Sequence, residues 1–297
     1  MVQCAIPRPS AIAVIWTDLK LAFSRCIGID YSGAQHARAG LPGLRIFEAH
    51  ASAPTAIEIR PDPSVSERHW SRSEIAQWLV ENITGVEAQG CEPLLIGIDH
   101  ALSFPRAYFE KYKLAENWDT FLNDFCVHWP SLNSKMSVRD ILLTQKAELD
   151  FEKTRLGESR WRRLCEKHSR GAKSVFHFGV PGSVASSTHA GLVWIHFLRN
   201  HQRLKNLVHF WPYDGWIPEP GKSVIAEIYP ALWNKQSERG ALTQDQHDAR
   251  VVAIGLYEAV KNGNLLRWFQ PEDWQKISLS PFEVEYARIE GWILGLC

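Results

Sequence analysis

Two short segments with the same ending constrain this chain more than any other feature. Cys26-Ile27-Gly28-Ile29-Asp30 and Leu94-Leu95-Ile96-Gly97-Ile98-Asp99 are apolar runs of strand length, and both close on Gly-Ile-Asp. An acid at the end of an apolar strand is costly to bury alone, so it belongs at an open sheet edge, paired or holding a cation. After Asp30, Tyr31-Ser32-Gly33 turns the chain out of the sheet.

The segments around these strands read as an α/β chain. Residues 44–49 and 56–60 alternate with period two, which predicts strands in a meander from the first. Ser71 or Ser73 is placed to cap an amphipathic helix through Ile75, Trp78, Leu79 and Ile83. The second Gly-Ile-Asp strand is apolar throughout, as expected of a central strand covered on both faces. Residues 106 to about 170 are charged and aromatic, with Trp118, Phe121, Phe125, Trp129 and Trp161, and read as a helical insertion or cap. A helix over 189–204 with Thr188 as its cap, strands at 208–212 and 223–229, and a helix from Gln244 to Lys261 complete the pattern. Residues 25–296 therefore read as one domain, and residues 1–24 as an arm or extension.

Lys and Arg balance Asp and Glu at 33 each, so no global field announces a polynucleotide partner. The six cysteines lack a C-x-x-C pair and read as reduced thiols, which places the chain in the cytoplasm. No apolar run reaches the roughly 18 residues of a membrane span, and AIAVIW at 11–16 is too short for a signal core.

The candidate chemistry lies in the acids. Asp30, Asp99, Glu227 and Asp248 are the candidate catalytic residues, and Asp30, Asp99, Asp245 and Asp248 the candidate metal ligands. Asp245 and Asp248 share one helix face by their spacing. Carboxylates that converge repel unless a cation neutralises them. Oxygen-only ligands favour Mg²⁺ or Mn²⁺, and two such ions roughly 4 Å apart clamp the attacking and leaving oxygens of phosphodiester hydrolysis. The bland readings are a turn or cap for Asp30, a helix cap for Asp245, and pairing of Glu227 with an Arg or Lys from the cap. Arg160, Arg162, Arg163, Lys167, Arg170 and Lys173 surround Trp161 in a basic stripe suited to nucleic acid, or else to a solvated helix face. Ser186-Ser187-Thr188 is placed to present a helix N-terminus to an anion, and His189 and His247 are proton-shuttle candidates. No P-loop, G-x-G-x-x-G, H-E-x-x-H or G-x-S-x-G occurs.

Taken together, GIDYSGA, IGIDH followed by SFP, AEIYPALW, DQHDARVVAIGL and the terminal EGWILG resemble the family known as domain of unknown function 429. That family is described as a predicted nuclease with a ribonuclease-H-like fold, and the likeness spans most of residues 25–296. The resemblance implies a mixed sheet of three antiparallel strands, a helix, then parallel strands. It implies an active centre at Asp30, Asp99 and Asp248. Asp245 matches the Asp-x-x-Asp arrangement of Holliday-junction resolvases, which share that fold, and Glu227 stands where the family has an acid before Tyr-Pro. The expected function is metal-dependent nuclease activity. The alternatives are an ATP-dependent phosphotransferase of the actin-like or sugar-kinase type, and a non-catalytic nucleic-acid-binding module.

Overall fold

The computed structural model describes residues 23, 25–63, 69–129, 135–148, 154–234, 238–274 and 276–297. The N-terminal arm expected over residues 1–24, its AIAVIW run and Cys4 lie outside these residues except for Phe23, which is buried. Among the described residues no helix is long and apolar enough to cross a membrane, and the five described cysteines are unpaired.

A mixed six-stranded sheet carries the chain. Strands β1 (Arg25–Asp30), β2 (Arg45–His50) and β3 (Ala53–Ile59) form an antiparallel meander. Helix α1 (Arg72–Ala88) follows, its start fixed by a capping box between Ser71 and Glu74. Strand β4 (Leu94–Ile98) then lies parallel to β1, with Gly28 opposite Gly97. Three helices of the insertion come next, α2 (Arg106–Tyr112), α3 (Trp118–His128) and α4 (Val138–Glu148), followed by the short α5 (Leu164–His168). Helix α6 (Ala185–Asn200) leads to β5 (Val208–Trp211) and β6 (Ser223–Glu227). Helices α7 (Gln244–Lys261), α8 (Asn264–Trp268) and α9 (Pro281–Glu290) close the chain.

The strand order is β3-β2-β1-β4-β6-β5. The parallel part departs from chain order: β6 lies between β4 and β5, and β5 takes the sheet edge. The helix expected over 189–204 starts earlier, at Ala185, and Thr188 is not its cap. Thr188 is buried and its hydroxyl accepts the Ala101 N–H at 3.1 Å, so its polar group is used on the sheet rather than on its own helix. The basic segment 160–173 is helical only over Leu164–His168, so it does not form a helix stripe.

Alternation divides the strands between two apolar layers. Ile27, Ile29, Ile96, Ile98 and Ile225 pack with Ile75, Leu79 and Ile83 of α1 and Leu192 and Ile195 of α6. Cys26, Leu95, Val224 and Ala226 face the other way, against Val252 and Leu256 of α7. The glycines of the two Gly-Ile-Asp strands differ in purpose. A Cβ on Gly28 would fall 2.2 Å from the Ala249 carbonyl oxygen and 2.7 Å from the Ala253 nitrogen, so α7 rests its backbone on β1. A Cβ on Gly97 would meet the side chains of Ile228 and Leu256 instead.

These contacts separate two otherwise identical substitutions. Gly28→Ala must push α7 off the sheet and is expected to cost about 1–3 kcal/mol of overpacking. Gly97→Ala meets side chains that can rotate and costs less, and urea denaturation of the two variants measures the difference.

Candidate active site

Parallel neighbours β1 and β4 end at the same edge, and there Asp30 and Asp99 meet. The Asp99 N–H donates to the Ile29 carbonyl at 2.9 Å, which locks the two strand ends together. The carboxyl groups of Asp30 and Asp99 line the same space and repel each other. Both lie two residues beyond their glycines, on the sheet face that α7 covers. Helix α7 brings Asp245 and Asp248 in its first two turns, and its start is capped by Thr243 and Gln246 rather than by Asp245. The Asp248 Oδ1 accepts from the amides of Asn234 and Gln244, each at 2.9 Å, which fixes the carboxylate's orientation.

Asp30, Asp99, Asp245 and Asp248 together line a cleft of about 420 Å³, with Ser32, Ser183, Ser186, Ser187 and Tyr229 among the other walls. Among the described residues no Lys or Arg lines it. The N-terminus of α6 opens onto this space without a side-chain cap at Val184. Gly33 makes that arrangement possible, since a Cβ there would lie 2.2 Å from the Ser186 carbonyl carbon and 2.5 Å from the Ser187 nitrogen. The turn after Asp30 is held from below by Arg72, buried, whose guanidinium donates to the carbonyls of Ser32, Ala34 and Gln35 at 2.8–2.9 Å.

Charge in this cleft is poorly compensated. Burial first, then the neighbouring charges of Asp99, Asp245 and Asp248, holds the Asp30 carboxyl well above the ordinary carboxylate range. Burial, then Asp248 and Glu227, pushes Asp99 up to about 8. Asp245 is also raised, chiefly by burial, with Arg45 opposing the shift. Among the described residues no three His, Cys, Asp or Glu side chains close around one point as a ready cage. The chemistry of the wall fits a hard divalent cation: its acids are all oxygen donors, they repel each other, and among the described residues the cation that answers them, Arg45 on Asp245, stands outside the wall.

Other sequence candidates fall elsewhere. Glu227 pairs with Ile98 across β4 and β6, which puts its side chain on the face opposite Gly97 by alternation. Both of its oxygens are taken by Arg163, at 2.6 Å each. Arg163 is therefore no surface contact for nucleic acid: it is 1% exposed and binds Glu227, Glu166 and the Glu290 carbonyl. Arg162 is spent on the carbonyls of Glu166 and Ala172. Trp161 packs edge-on against Phe176, and exposed Arg160 pairs with Glu158 at 2.7 Å. Lys167 and Arg170 are exposed. Lys173 donates to the Pro181 carbonyl, and Gly171 lies against the Tyr229 hydroxyl, so the 170–173 end of the segment borders the cleft.

His189 is 2% exposed, ringed by Phe104, Phe125, Trp129, Phe176 and Phe178. Burial drives its pKa down to about 3, so it stays neutral and far from proton traffic. His247 is buried and does not line the cleft. Gln244 was legible from its four-residue spacing to Asp248, whereas Arg72 and Asn234 carried no signal, since only folding brings them to their partners. No family model, curated protein or solved structure matches the chain.

The raised acids set a pH dependence. The unfolded chain gives up the Asp99 proton near pH 4, whereas the folded chain keeps it to about 8. Stability without metal is thus expected to fall as pH rises between about 4 and 8, because the unfolded state alone loses a proton there. In chelator-treated protein Asp99→Asn flattens that decline and raises the melting midpoint at neutral pH by about 2 °C or more, as read by thermal denaturation across the pH range.

Proposed function

We propose that this chain is a divalent-metal-dependent nuclease built on a ribonuclease-H-like sheet. One observation carries the reading: the adjacent parallel strands β1 and β4 bring Asp30 and Asp99 together in a cleft that also holds Asp245 and Asp248 and that no Lys or Arg lines among the described residues. The β3-β2-β1-β4 portion, with β2 antiparallel to both neighbours, supports the fold assignment. The edge strand β5 is an addition to it. The motif likeness to domain of unknown function 429 supports the same reading. Ligands of open α/β sheets sit at the carboxyl ends of the strands, where this cleft lies.

In this reading Asp30 and Asp99 hold Mg²⁺ or Mn²⁺ between them, and Asp248 and Asp245 complete the donor set from α7. The bound cation supplies charge neutralisation and Lewis acidity toward a phosphodiester. Asn234 and Gln244 keep Asp248 turned to its task. The start of α6, where the Ser183 hydroxyl accepts the Ala185 N–H and Ser186 stands beside it, favours an anionic group across the cleft. Arg170 and Lys173 stand where a polyanionic strand leaves it.

The test is cleavage of a panel of single- and double-stranded DNA and RNA with Mg²⁺, Mn²⁺ or chelator. Metal-dependent cleavage is expected, and Asp30→Asn should reduce it by more than the about 10–100-fold that outer-shell changes produce. Cleavage that persists in chelator or in Asp30→Asn would remove this cleft from the reaction.

A further inference from the structure

The buried pair Arg163 and Glu227 lies beside the cleft without lining it. A carboxylate has about four acceptor positions. Arg163 fills two on Glu227, one on each oxygen at 2.6 Å. Glu166 at 2.9 Å and the Glu290 carbonyl at 3.3 Å fix the guanidinium in turn. Acceptor capacity is left on Glu227, in a place where its direction cannot drift.

Asp99 has the complementary need. Its Oδ1 is buried and makes no hydrogen bond within the chain. Between the two acids lies a small cavity of about 20 Å³ lined by Asp99, Arg163, Glu166, Lys173, Glu227 and Tyr229. A buried water needs about 10–15 Å³ and at least two polar partners. Water donates two hydrogens, the number that serves one oxygen of Asp99 and one of Glu227.

We propose that Arg163 and Glu227 are positioning residues for Asp99, acting through one water held between the Glu227 carboxylate and Asp99 Oδ1. The water ties down one oxygen of Asp99 and leaves the other to Asp30 and the cleft. An ion pair buried this deeply adds little stability over apolar side chains of the same size. What it supplies is a carboxylate of fixed orientation behind a residue that must be aimed. The functional part of this proposal rests on Asp99 as a cation-holding acid; the water itself does not.

Two measurements on the full chain test it. A crystal structure that shows ordered solvent should contain a water about 2.6–3.2 Å from both Asp99 Oδ1 and the Glu227 carboxylate, and an empty or differently connected cavity overturns the proposal. Calorimetric titration with Mn²⁺ should give about tenfold weaker binding or worse in Glu227→Gln and Arg163→Lys. The triple variant Arg163→Met/Glu166→Gln/Glu227→Leu, which leaves neither acid that Arg163 pairs with charged and buried, separates positioning from support. It is expected to lose Mn²⁺ affinity while still folding, whereas wild-type affinity in the folded triple variant overturns the proposal. Should Arg163→Lys not fold, Glu227→Gln decides, since it keeps the shape of the side chain. A wild-type chain that binds no Mn²⁺ overturns the cation reading of the cleft, and the water in the crystal then decides the positioning by itself.

Discussion

The contact of α7 with β1 at Gly28 is the constraint on which the rest of the structure depends. With no Cβ at that position the helix backbone lies directly on the strand, closer than any side chain would permit. That approach sets the height of α7 above the sheet, and so the height of Asp245 and Asp248 above Asp30. It also explains why the glycine stands two residues before the acid: period two puts both on the helix-covered face. The same face of β4 carries Gly97 toward Ile228 and Leu256, which keeps the neighbouring acid, Asp99, in the same layer.

Bringing acids together in this way opposes folding. Four carboxylates share a cleft that no Lys or Arg lines among the described residues, and Asp30 and Asp99 answer by holding their protons, with raised pKa values. The surrounding structure over-determines the arrangement. Arg72 holds the turn after Asp30 by three carbonyls, Gly33 seats that turn on α6, and two amides orient Asp248. Local electrostatic cost offset by packing and hydrogen bonds elsewhere is the usual signature of a functional site.

The insertion contributes to this economy from behind. Its α3 packs on α6, and the Phe104, Phe125 and Phe176 rings around His189 turn a polar residue into core. Arg163 reaches from the segment before α5 into the end of β6 and joins the insertion to the sheet through Glu227. The C-terminal stretch completes that junction: Leu294 N–H donates to the Glu227 carbonyl at 2.9 Å, and the Glu290 carboxylate accepts from the N–H groups of Arg106 and Leu164.

The amino-acid sequence by itself determined the meander, the central apolar strand and the helix that carries Asp245 and Asp248, because period and capping are local properties. It also marked Asp30 and Asp99 as acids at strand ends, the two residues now seen in contact. Tertiary structure alone decided the neighbours. Glu227 left the acid group because register with β4 turned it to the other face, where Arg163 meets it. Arg163 looked like part of a solvated stripe because Glu227 and Glu290, which it meets in the core, are far along the chain. His189 looked like a shuttle because the rings that bury it come from three separate segments. What Gly28 excludes was local too, yet which helix would use the space it leaves was settled only by the fold.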